Sequence, residues 1–115
     1  GGVKAALNDN RIGLTDNWLR HVQDVRDRHE NLLNTVEDHA DRVDRLCELN
    51  AMQQVVSISQ TSVLREAWER GQDVSIHGWC YRLDDGLVHD LGISATCRDE
   101  ALELYRDGIE RMSRD

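Results

Sequence analysis

Phenylalanine and proline are absent, lysine occurs once, as Lys4, and only 39% of the 115 residues are apolar. That share lies below the roughly 45% of ordinary globular domains. A chain of this length also forms one small domain at most, with a core limited by surface-to-volume scaling. The shortage of apolar residues therefore excludes a large self-sufficient core. It predicts a single partial domain, residues 1–115, that completes itself against another chain or subunit. No run of ~20 apolar residues and no secretory hydrophobic region occurs, so neither a membrane partner nor a leader is expected. Cysteine is scarce and irregular: Cys47, Cys80 and Cys97 are odd in number and lack the spacing of a disulfide framework, which points to a reducing cytoplasm.

Positive charge is in deficit as well. Lys and Arg number 14 against 22 Asp and Glu, a formal net charge of −8. Proteins that bind nucleic acid neutralise phosphates with clustered Lys and Arg, so no nucleic-acid partner is expected and an anionic membrane surface is disfavoured.

What is present is helical periodicity interrupted once by strand alternation. Gly1 to Leu7 reads as a small-residue entry into a short helix, and Asn8 to Gly13 as a loop. Leu14, Trp18, Val22, Val25, His29 and Leu32 or Leu33 then recur at three-to-four spacing, with Thr15 or Asp16 as the cap. After a connection at Asn34 to Ala40, Asp41 is expected to cap the longest helix. Val43, Leu46, Cys47, Asn50, Ala51 and Gln54 lie along one side of it, and Leu49, Met52 and Val56 widen its apolar surface. The cluster Ser57, Ser59, Thr61, Ser62 predicts a break. A shorter helix through Val63, Leu64, Ala67 and Trp68 stops at Gly71. The last helix runs from about Arg98 to Met112, with Ala101, Leu102, Tyr105 and Ile109 inward and Thr96 or Asp99 as cap.

Between these helices lies Val74 to Leu91. Val74, Ile76, Gly78 and Cys80 fall on one face and Ser75, His77, Trp79 and Tyr81 on the other, the period of a pleated strand. Asp84, Asp85 and Gly86 supply a turn, and Leu87 to Leu91 a second short strand. Two strands do not make an independently stable sheet, so an α/β unit is expected whose other strands come from elsewhere.

His77 and Cys80 have the H-x-x-C spacing of a zinc pair, but residues three apart on a strand point to opposite faces and cannot share one ion. His89 with Asp90, and Cys47 with Glu48, are candidate acid–base or nucleophilic pairs without a visible third group to orient them. Cys47 reads as a packing thiol in an apolar seam. Cys97 sits near a helix start, where the dipole favours a thiolate. His21, His29 and His39 lack the spacing of a metalloprotease helix, and Gly1-Gly2 alone is a slight signal for an anion at a helix start.

Taken together, four blocks resemble the carboxy-terminal half of a β-class carbonic anhydrase. They are Gly1-Gly2-Val3, Cys47 to Val55, Ala67-Trp68 through Gly71-Gln72, and His77-Gly78-Trp79-Cys80-Tyr81 with Asp85-Gly86-Leu87. The resemblance implies helices packed on a mostly parallel sheet whose upstream strands lie outside this chain. It implies reversible hydration of carbon dioxide to bicarbonate at a zinc ion held by two Cys and one His, which lowers the pKa of bound water, with an Asp-Arg pair assisting. In the family all of those residues precede the segment matched here, so no metal ligand and no catalytic residue carries over. Gly1 and Gly2 match backbone leaving the active site. Tyr81 matches the Tyr of a regulatory bicarbonate site whose Trp and Arg also lie upstream. The implied partners are an amino-terminal half or second chain, carbon dioxide and bicarbonate, and a homodimer or tetramer. The chain alone is expected to bind no zinc and to be inactive. The alternative is a non-catalytic oligomerisation or interaction module.

Overall fold

A computed structural model describes residues 2–7, 16–82 and 85–114. They group into two compact units, residues 1–50 and 51–115, with the boundary falling inside the longest helix. The expected loop at residues 8–13, together with Leu14, Thr15 and the Trp18 side chain, lies outside the described residues.

The first unit contains α1 (Gly2–Leu7), α2 (Asp16–Arg28), α3 (Glu30–Asn34) and the opening turns of α4 (His39–Ser59). Helix α1 packs on α2. Arg26 Nη1 donates to the Ala6 carbonyl at 2.7 Å, supplying a donor where a helix end leaves its carbonyls without one. Leu19, Val22 and Val25 are buried on α2, so Leu19 joins the face that the spacing outlined without it. The single helix expected through Leu33 is split at His29, whose backbone leaves the helical region at φ −113° and ψ 27°. The hydrogen bonds nevertheless continue across it, His29 N–H to Val25 O at 3.1 Å and Leu33 N–H to His29 O at 2.9 Å.

The cap of α4 is Asp38 and not Asp41. Asp38 Oδ1 accepts the Asp41 N–H at 3.1 Å, so the helix begins earlier than the spacing indicated. Both acids have the same capping chemistry. Ahead of Asp38, Arg42 Nε and Nη2 both donate to the Val36 carbonyl at 3.1 and 2.8 Å. The buried residues of α4 are Leu46, Leu49, Met52, Val55, Val56 and Ser59, whereas Cys47 and Asn50 are half-buried and Gln54 is exposed. The apolar stripe thus follows the residues that widened the expected face.

The second unit continues from α4 into α5 (Ser62–Glu69), β1 (Ile76–Tyr81), β2 (Val88–Ala95) and α6 (Arg98–Arg114). The serine-rich break is present. Ser59 is buried and its hydroxyl donates to Val56 O at 2.6 Å, while Thr61 caps α5 by accepting the Leu64 N–H. Helix α5 ends as the glycine predicted. Gly71 takes φ 78°, its N–H bonds Trp68 O at 2.9 Å, and the Gln72 N–H reaches back to Ala67 O at 3.0 Å. Trp68 Nε1 then donates to Val74 O at 2.9 Å and holds the entry to β1.

β1 and β2 pair antiparallel, and they are the whole of the sheet among the described residues. β2 is longer than the expected Leu87 to Leu91. It runs past a bulge in which Leu91, Gly92 and Ile93 stand opposite Gly78 alone, with Gly92 at φ 73°. A sequence pattern of period two breaks at such a point although the strand does not. Met52, Val55, Ile93, Ala95 and Ala101 form the buried cluster of this unit, with Ile76, Leu91, Leu104, Tyr105, Ile109 and Met112 packed against it. At the start of α6, Glu100 reaches back to accept the Thr96 N–H at 3.1 Å.

Gly78 sits where β1 is pressed closest. A Cβ there would lie 2.5 Å from Ile93 Cγ2 and 3.3 Å from Val55 Cγ2, both on stiff β-branched side chains. Gly78→Ala is expected to lower stability by about 1–3 kcal/mol, read from urea denaturation, because overpacking forces off-rotamer side chains.

Burial and the neighbouring Arg28 charge hold the His29 pKa below 6.5. The folded chain then binds fewer protons than the unfolded one. The stability involved is fully present above the unfolded value and is lost as pH falls through the lower folded value. His29→Gln is expected to flatten the decline in urea midpoint between about pH 7.5 and about pH 5.5.

Candidate functional site

The hairpin carries His77, Cys80, Tyr81 and His89. Along β1, His77, Trp79 and Tyr81 are exposed while Ile76, Gly78 and Cys80 turn inward, so His77 and Cys80 diverge as strand parity requires. On the outer face His77 Nδ1 lies 2.8 Å from Ser94 Oγ. Its ring stacks beside Trp79 with centroids 6.0 Å apart. Tyr81 closes β1 opposite Val88, 59% exposed, with its hydroxyl 3.8 Å from the Cβ position of Gly86.

The turn is built by backbone and one carboxylate. Gly86 takes φ 68° and donates to Arg82 O at 2.9 Å, and the Arg82 N–H donates to Leu87 O at 3.0 Å. Asp85 Oδ1 accepts the Leu87 N–H at 2.9 Å, the local bond for which aspartate is favoured in turns. Asp84, the other acid expected in the turn, lies outside the described residues.

The second oxygen of Asp85 corrects the pairing of His89. Asp85 Oδ2 lies 2.7 Å from His89 Nε2, whereas Asp90 Oδ1 accepts the Gly92 N–H at 2.9 Å. Adjacent residues on a strand face opposite ways, so His89 and Asp90 are separated by the pleat and a carboxylate across the turn takes the imidazole. The sequence holds this signal only as an Asp four residues before a His across a turn. The Leu87 N–H foremost, and the His89 hydrogen bond and the charges of His89 and Arg82 after it, hold the Asp85 carboxyl below the ordinary aspartate value of 3.8.

Elsewhere the candidates stay apart. Cys47 is half-buried on α4, and the Glu48 carboxylate beside it lies 3.5 Å from Arg45 Nη1. Cys97 is exposed just before α6, on a cleft of about 330 Å³ lined also by Arg65, Trp68 and Arg98. His39 lines a cleft of about 320 Å³ in the first unit with Arg26 and Arg42. There Arg26 already holds Ala6 O and, at 2.8 Å, Asp27, while Arg42 holds Val36 O. His21 is exposed. Gly1 lies outside the described residues and Gly2 opens α1. Among the described residues no three His, Cys, Asp or Glu side chains are grouped to hold a metal ion. No helix among them is long and apolar enough to cross a membrane.

Residues 1–88 match the family model for carbonic anhydrase. A carbonic anhydrase of Emericella nidulans is 40% identical over 93 residues, covering 81% of this chain and 41% of that protein. Among solved structures, a Coccomyxa β-carbonic anhydrase in complex with acetazolamide superposes with a TM-score of 0.78 at 33% identity, over 88% of this chain and 46% of that one. Tetrameric β-carbonic anhydrases from Sordaria macrospora give 0.73 at 33% identity over 83% and 48%. The β-carbonic anhydrase of Aspergillus fumigatus gives 0.71 at 32% identity over 93% and 50%. The chain therefore spans about half the length of these relatives, between 41% and 50%.

The Asp85 geometry has a direct readout. In a carboxyl-carbon NMR titration Asp85 is expected to titrate below 3.8. His89→Gln should move its midpoint upward, because a cationic partner is lost. The stabilisation that Asp85 gives the turn is present above the unfolded value and is lost as pH falls through the lowered one.

Proposed function

Because the chain belongs to the carbonic anhydrase family, in its β class, we propose that it is the carboxy-terminal part of an enzyme that hydrates carbon dioxide reversibly to bicarbonate, and that it does not carry the reaction alone. The observation behind this reading is the family match over residues 1–88 joined to coverage of only about half of each relative. Zinc, bound in the family by two Cys and one His, supplies hydroxide near neutral pH by lowering the pKa of its water. The described residues do not fit such an ion, since no three ligating side chains are grouped. They therefore supply no step at the metal.

What this chain contributes is support. Among the described residues β1 is paired on one edge only, to β2, and a two-stranded hairpin needs further strands for independent stability. In this reading the upstream part of the domain adds its strands at the other edge of β1, and the hairpin with its cluster around Met52 and Ile93 backs the active site. Gly1 and Gly2 would belong to the backbone segment that leaves the active site, as the family resemblance implies. Tyr81, exposed at the end of β1, serves a regulatory bicarbonate completed by upstream groups. The assembled enzyme is a cytoplasmic homodimer or tetramer, in keeping with the tetrameric Sordaria relatives.

The test is the chain purified alone and co-expressed with the amino-terminal part of the Emericella nidulans relative. Alone, it should carry no zinc by mass-spectrometric metal analysis and leave carbon dioxide hydration at the uncatalysed rate in stopped flow. The pair should acquire about one zinc and catalyse hydration. Stoichiometric zinc with hydration by the chain alone would overturn the proposal.

A further inference from the structure

We propose that Cys80, His89 and Asp85 form a reactive thiol site on the inner face of the hairpin, which takes up low-molecular-weight disulfides by exchange. The register sets Cys80 directly opposite His89. Opposed residues of an antiparallel pair have Cβ atoms about 4.5–5.5 Å apart on the same face, within which a thiol and an imidazole nitrogen meet. His89 Nε2 is engaged by Asp85 Oδ2 at 2.7 Å, which leaves Nδ1 as the ring nitrogen for the thiol. Asp85 is itself fixed, because its other oxygen holds the Leu87 N–H at 2.9 Å. Nucleophile, base and orienting carboxylate are thus all present, the combination that activates a cysteine. The site is reachable: Cys80 is only partly buried, and the side chains of His89 and Asp85 are 38% and 37% exposed.

The chemistry balances without an external oxidant or reductant. The imidazole takes the thiol proton, and the Cys80 thiolate attacks one sulfur of the disulfide. A Cys80–sulfur bond forms as the original sulfur–sulfur bond breaks, and the departing thiolate takes the proton back from the imidazolium. Excess free thiol reverses the step. The site is independent of the zinc chemistry of the family and uses residues of this chain alone.

The experiment treats the purified chain with oxidised glutathione and, separately, iodoacetamide, and follows each cysteine by peptide mass. Exposed Cys97 is the internal reference. Near pH 6.5 Cys80 is expected to react about 10-fold faster than Cys97, with a rate nearly flat between about pH 6 and 8. Asp85→Asn keeps an oxygen for the Leu87 N–H but removes the carboxylate. It and His89→Gln should each slow Cys80 several-fold, restore the ordinary pH profile and leave Cys97 unchanged. Equal or slower reaction of Cys80 than of Cys97 overturns the proposal, as does an unaltered Cys80 rate in folded Asp85→Asn.

Discussion

The close approach at Gly78 is the contact on which the second unit depends. Ile93 and Val55 press onto a position with no side chain, so strand, bulge and helix meet without an intervening layer. A bulge opposite Gly78 brings Ile93 inward, and Gly92 adopts the positive φ that this requires. The cluster of Met52, Val55, Ile93, Ala95 and Ala101 follows from that geometry, and α6 closes over it. Gly108 repeats the device on a smaller scale, since a Cβ there would run into Met52 Cε at the flexible end of its side chain.

The same packing separates the two faces of the hairpin by chemistry. The outer face keeps His77, Trp79 and Tyr81 in solvent. The inner edge keeps Cys80 and His89 beside the turn carboxylate Asp85. Asp85 serves two ends with its two oxygens, one shaping the turn and one orienting the imidazole. Its lowered pKa reflects both tasks, because hydrogen bonds to the ionised form favour that form. The family reading and the thiol site therefore lie on one scaffold but draw on different residues.

Much of this was legible in the chain order. The serine-rich break, the Gly71 stop, the alternation of β1 and the turn at Asp85-Gly86 all stand where local chemistry placed them. The family could be recognised too, because its blocks retain their residues and order. The choice of Asp38 over Asp41, the split at His29, the run of β2 to Ala95 and the partner of His89 were not legible. The cap and the His89 partner each involve two acids with equal local merit, and the other two turn on a backbone conformation and a bulge.

The sequence by itself determined the element types, the divergence of His77 from Cys80, and the likeness to half of a β-carbonic anhydrase. These rest on periods, caps and motif order, which are properties of neighbours along the chain. The tertiary structure alone decided which carboxylate meets His89, why Gly78 carries no side chain, and that Cys80 stands across from an oriented imidazole. Those depend on register and bulge, and a register is set by which side chains fit between packed elements, a comparison no single stretch of sequence contains.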